Sequence, residues 1–119
     1  MPTLNQVMFI GRLGKDPTMN ITPNNAKPVT KFSLAVDQGK EQQAMWLNVT
    51  CWDKLAETVN QYAVKGMLVY VQGKLQLREY KGRNDTKQVA VEIIATLVQL
   101  LEKRQSTGDD VSGLGEDLM

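Results

Sequence analysis

The sequence predicts an all-β domain in which about five curved antiparallel strands close into a small barrel, with a single helix ahead of the fourth long strand. Three observations predict it. Apolar and polar residues alternate with period two over several segments, one of them fourteen residues long. Only one stretch, after Asp53, carries a helical period and helix-stop signals. Gly11 and Gly73 fall in mid-strand, where a tightly coiled barrel needs its corners. At 119 residues the chain has room for one domain with one modest core.

Residues 6–13, QVMFIGRL, read as the first strand, with Val7, Phe9, Gly11 and Leu13 on one face and Met8, Ile10 and Arg12 on the other. GKDP breaks the pattern, TMNIT alternates briefly, and PNNAKP makes a turn in which Asn tolerates positive φ. Residues 29–37, VTKFSLAVD, put Phe32, Leu34 and Val36 inside and Lys31, Ser33 and Ala35 outside. QGKEQQA is a polar loop leading to MWLNVTCW, whose inner face is Leu47, Val49 and Cys51. A helix follows, N-capped by Asp53, with Leu55, Val59 and Tyr62 or Ala63 at core spacing and a stop at Lys65–Gly66. Tyr62 is expected in the helix core. Residues 67–80, MLVYVQGKLQLREY, turn Met67, Val69, Val71, Leu75 and Leu77 to the core and Leu68, Tyr70, Gln72, Lys74, Gln76, Arg78 and Tyr80 outward. KGRNDTK is a polar turn. QVAVEIIATLVQLL fits helix or strand, and the β-branched density of VAVEII favours a strand to about residue 95. This order suits an OB-fold, and other small barrels share it.

Composition removes several function classes. There is no histidine, so the commonest general base and metal ligand is missing. One cysteine allows neither an internal disulfide nor a Cys/His zinc site. No run approaches eighteen apolar residues, so no membrane-spanning helix is expected, and the start lacks the layout of a secretory signal. The net charge of +1 hides a division. Residues 1–105 carry 14 basic and 9 acidic side chains, +5, whereas 106–119 carry four acids and no base, −4. Nothing apolar is periodic beyond Lys103, which reads as a disordered acidic tail.

The outward faces carry the chemistry. MWLNVTCW places both tryptophans of the chain, Trp46 and Trp52, on its polar face beside Asn48 and Thr50. The long strand adds Lys74, Gln76, Arg78 and Tyr80, and Arg12 and Lys31 join from the first and third strands. Aromatic rings interleaved with cations suit single-stranded nucleic acid: bases stack on the rings, at roughly 1–3 kcal/mol each, while the cations track phosphates. No base-reading constellation is evident, which points to little sequence preference. One outward Trp packs against a loop or a partner about as often as it stacks on a ligand. Two on one face, with Tyr80 and four cations, favour the ligand. Tyr70, between Leu68 and Gln72, reads as a subunit contact, as does Leu47. Cys51 is a small core hydrophobe. Asp53 and Glu57 sit where a helix dipole favours acids, which explains them better than an acidic dyad does.

NQVMFIGRLGKDP, FSLAV, WLNVTCWDKLAETVNQYAVKG and VYVQGKLQLREY, in that order, make residues 4–102 resemble the bacterial-type single-stranded DNA-binding protein family. The resemblance implies a five-stranded OB-fold Greek-key barrel with one helix between strands three and four, a homotetramer that single-stranded DNA wraps, and work in replication, recombination and repair. It places Trp46 and Trp52 at stacking sites, the second commonly Phe in the family. Tyr80 stands where the family often has Trp, beside the cation Arg78. Asn48, Gln76 and Asn20 fall where relatives tend to carry Arg, and Lys40 replaces an aromatic, so the DNA face is thinner. The family's acidic tip ends in Pro-Phe and docks on replication and repair enzymes; here Glu116 and Asp117 precede Leu118 and Met119.

The expectation is therefore an OB-fold domain over 1–104 and a disordered acidic tail over 105–119. The domain binds single-stranded DNA through Trp46, Trp52, Tyr80, Arg78, Lys74, Lys31, Arg12, Asn48 and Gln76, without cofactor, metal, membrane or enzymatic activity, in the cytoplasm with the nucleoid. The tail residues Glu116, Asp117, Leu118 and Met119 would contact protein partners. Two other readings stay open: an OB-type interaction module of primosomal or RNA-binding kind, and a carboxylate-dependent nuclease, whose acids are not gathered on one strand face.

Overall fold

The computed structural model describes residues 2–40 and 42–103. Six strands form one sheet: β1 (Val7–Leu13), β2 (Thr18–Ile21), β3 (Pro28–Val36), β4 (Met45–Trp52), β5 (Leu68–Lys81) and β6 (Lys87–Leu100). The helix α1 (Asp53–Tyr62) lies between β4 and β5. The sheet order is β1-β5-β6-β4-β3-β2, and β1 also pairs with β3 through Arg12 and Leu13, which closes the sheet on itself. β6 returns to lie between β5, antiparallel, and β4, parallel. This is the expected all-β barrel, with the brief TMNIT alternation adding a short strand beside β3.

The predicted inner faces build the core. Leu13, Phe32, Leu34, Val49, Cys51, Val69, Val71 and Ile93 are buried together, with Ala56, Val59 and Ala63 of the helix side closing one end. Thr30 Oγ1 donates to the Ala56 carbonyl at 2.7 Å, tying the helix to the barrel. Burial pushes the Cys51 thiol up to about 12, so it packs as a neutral hydrophobe. Gly11 and Gly73 mark the closest strand approaches: a Cβ on either would run into the carbonyl oxygen of Ala35 or Ile94. The β5–β6 register shifts between Gln72 and Gly73, a bulge that bends the ladder there.

Several expectations need correction. The helix ends at Tyr62 rather than Lys65, because Ala63 is already extended. The chain then turns back to the barrel: the Lys65 and Gly66 amides donate to Asp16 Oδ1 and the Leu13 carbonyl, both at 2.8 Å. Asp53 is not the N-cap; extended Trp52 is, without a side-chain cap, and Asp53 itself sits at φ +59°. Tyr62 is half exposed instead of buried. β6 runs to Leu100, not 95, since β5 pairs with it from Val69 to Lys81 across the bulge at Gln72 and Gly73. Leu75 and Leu77 leave the core. At about 3.3 Å per residue, fourteen-residue strands reach about 46 Å, longer than a small barrel, so the distal β5–β6 hairpin projects as an arm with Leu75, Leu77, Val89 and Val91 uncovered. Leu47, on the predicted inner face of β4, is partly buried and packs against the core. The expected tail, with Glu116, Asp117, Leu118 and Met119, lies outside the described residues. No helix among the described residues is long and apolar enough to cross a membrane.

Candidate nucleic-acid interface

Directly opposed residues on paired strands share a face, so the register fixes which outward side chains meet. One row, Ser33–Asn48–Glu92–Gln76, crosses four strands from β3 to β5. Beside it Ala35 opposes Trp46, and Lys31 opposes Thr50. Asn20 and Val29 continue the row that ends at Trp52. Arg78 opposes Ala90, and Tyr80 opposes Gln88, farther out on the arm.

A concavity of about 330 Å³ opens on this face, lined among others by Lys15, Lys31, Asn48, Thr50, Arg78 and Glu92. Three cations thus converge on one groove. The two tryptophans belong to the strand that floors it. They are six residues apart, about 20 Å along β4, and so address different bases. Trp46 is 62% exposed, and its ring lies over Gly14 so closely that a Cβ there would strike it. Trp52 is 39% exposed, at the start of α1 and opposite buried Val29. Tyr80 is half exposed on the arm, on the same strand face as Lys74, Gln76 and Arg78.

Lys31, Asn48 and Arg78 are brought together in the groove, Trp46 and Trp52 lie along its strand, and Lys74, Gln76 and Tyr80 extend the face outward. Arg12 is engaged elsewhere. Its Nη1 donates to the Gly66 carbonyl at 2.9 Å and pairs with Glu102 Oε1 at 3.1 Å. Glu102 also accepts the Leu68 amide at 3.1 Å. That backbone hydrogen bond first, and Arg12 in addition, hold its carboxyl below the usual carboxylate range. Arg12 therefore fastens the end of β6 to β1 and the loop before β5.

Three charged groove residues, Lys15, Asp16 and Glu92, escaped sequence reasoning. Lys15 lies in the GKDP break, where no periodicity assigns a face. Glu92 carried a signal: it is the single charge in QVAVEIIATLVQLL. Its Oε1 pairs with Arg78 Nη2 at 3.1 Å, and its Oε2 accepts the Thr50 hydroxyl at 3.3 Å. This explains why Thr50, predicted outward, is only 4% exposed. Among the described residues no group of three carboxylates or thiols could hold a metal ion.

A second outward face is different in character. On β1, Met8 and Ile10 are more than half exposed, opposite Gln72 and Tyr70 of β5, and Leu97 of β6 lies beside them. The Tyr70 hydroxyl donates to Gln72 Oε1 at 2.7 Å. The patch is apolar and lies apart from the cationic groove.

The model of the single-strand binding protein family matches residues 4–101. A single-stranded DNA-binding protein of Bacillus cereus is 40% identical over 111 residues, 89% of this chain and 65% of its own length. Single-stranded DNA-binding protein A of Bacillus subtilis is 37% identical over 118 residues, covering 95% of this chain and 68% of that protein. Single-stranded DNA-binding protein 3 of Clostridium acetobutylicum is 36% identical over 113 residues, 92% of this chain and 78% of that one. The chain thus spans about two thirds of the Bacillus proteins it matches. With the family model covering the whole barrel, from before β1 to past β6, the chain belongs to the single-strand binding protein family.

Proposed function

We propose that this protein binds single-stranded DNA with little sequence preference and protects it during replication, recombination and repair. The observation that carries the proposal is the placing of Trp46 and Trp52, both open to solvent, along a groove that gathers Lys15, Lys31 and Arg78. Flat rings accept any base, and the cations meet the backbone that all bases share. Tyr80, Lys74, Gln76 and Asn48 extend the same face, so a strand leaving the groove continues along the arm. No covalent chemistry is required of these residues; the protein acts by binding alone, in the cytoplasm with the nucleoid.

Met8, Ile10, Tyr70 and Leu97 form the patch through which we expect copies to associate into a homotetramer, leaving the basic groove of each copy free. The tail residues Glu116, Asp117, Leu118 and Met119 supply acid followed by apolar side chains and are proposed to contact replication or repair proteins. One observation favours a second reading, an interaction module directed mainly at protein: the uncovered stripe Leu75, Leu77, Val89 and Val91 on the arm.

Tryptophan fluorescence during titration with a poly-dT oligomer separates the two. Quenching that weakens with salt supports stacking on DNA with phosphate contacts. No quenching at low salt refutes it and leaves the protein-directed module.

A further inference from the structure

Glu92 is an anion where the groove should be cationic. Its side chain is only 15% exposed, and both oxygens are engaged, by Arg78 and by Thr50. A carboxylate this far from water is retained only with such partners. Arg78 is 60% exposed, so its guanidinium faces the groove while one amine is tied to Glu92. The other charges lining the groove are Lys15, Asp16 and Lys31, and Asp16 accepts the Lys65 amide from the opposite loop.

We propose that Glu92 is a positioning residue that sets the groove's hold on phosphate: it occupies Arg78 in the free protein and competes with the nucleic-acid backbone for it. The inference rests on the single-strand binding reading above. While Glu92 holds Arg78, that arginine neutralises no phosphate and so displaces no counterion from the nucleic-acid backbone, and affinity leans on stacking at Trp46 and Trp52. Among the described residues neither Lys15 nor Lys31 is in an ion pair, and these two carry most of the salt-dependent part.

The test is the salt dependence of poly-dT binding for the wild-type protein, Glu92→Gln, Arg78→Gln and the double variant. Glu92→Gln keeps an acceptor for Thr50 and frees Arg78. It is expected to bind about fivefold tighter, with a log K against log salt slope steeper by about 0.7, the increment of one phosphate contact on a single strand. Arg78→Gln alone is expected to lower the wild-type slope by clearly less than about 0.7, because Glu92 already holds that arginine, and the double variant to lose the extra 0.7 gained in Glu92→Gln. Two results overturn the proposal: an unchanged or weaker Glu92→Gln, or a slope that falls by the full increment of about 0.7 in Arg78→Gln while Glu92 is present. The second needs only a substitution at an exposed arginine, so it decides the matter even if Glu92→Gln folds poorly. Failure of the wild-type protein to bind poly-dT at all would remove the function reading itself, a distinguishable outcome that takes this inference with it.

Discussion

Replacing Trp46 and Trp52 by Ala, singly and together, tests the stacking face most directly. Base–aromatic stacking contributes about 1–3 kcal/mol per base. Trp46, with 62% of its surface open, offers a base most of a ring face, and about 2 kcal/mol is assigned to it, or about thirtyfold in Kd. Trp52, at 39%, is assigned about 1 kcal/mol, about fivefold. The rings stand about 20 Å apart, so their losses should add to about 3 kcal/mol, or roughly 150-fold. The assay is fluorescence titration with a short poly-dT oligomer, where each single variant leaves one Trp as a reporter of its own site. Neither ring is charged, so the salt slope must stay at its wild-type value while affinity falls. Trp52→Phe guards against a folding effect, because it keeps a ring opposite Val29 and should retain most of the affinity. Single variants that fold and bind within twofold of wild type would refute stacking. A changed salt slope would refute the division of labour between rings and cations.

Three further outcomes concern the frame that holds this face. Asp53 occupies the left-handed region, which costs an ordinary residue roughly 1–2 kcal/mol, so Asp53→Gly and Asp53→Asn should unfold in denaturant near the wild-type midpoint while Asp53→Val loses about that amount. Gly73→Ala would force the bulge open against the Ile94 carbonyl and Ala95, and a fall of several degrees in Tm is expected. Glu102 has its folded-state value lowered by the Leu68 amide and Arg12, so its contribution is present above the ordinary carboxylate range and is lost as pH falls through the lowered value. Because the pair is exposed to solvent, Glu102→Gln should reduce Tm only slightly at pH 7, and the difference from wild type should shrink as pH falls through the lowered value.

Period-two alternation was enough to name most of the barrel from sequence, because a side chain's face on a strand depends only on parity. That rule placed Leu34, Val49, Val69 and Val71 inside and Trp46 and Trp52 outside without reference to any other strand. It failed at Leu75 and Leu77, which keep inward parity but have no barrel beneath them, since strand length and curvature together decide where the arm departs. Helical spacing failed at Tyr62, where the helix ends and the following chain turns back to the barrel through Asp16 and Leu13.

The sequence by itself determined the barrel's inner face, the single helix, the outward tryptophans and the lack of histidine chemistry, all local properties of spacing and composition. Only tertiary structure decided which outward charges converge. Lys15 reaches the groove from a loop, Arg12 is claimed by Glu102 ninety residues away, and Glu92 meets Arg78 and Thr50 because β6 inserts between β5 and β4. Pairing between strands distant in the chain is set by closure of the whole sheet, and no periodicity within one segment encodes it.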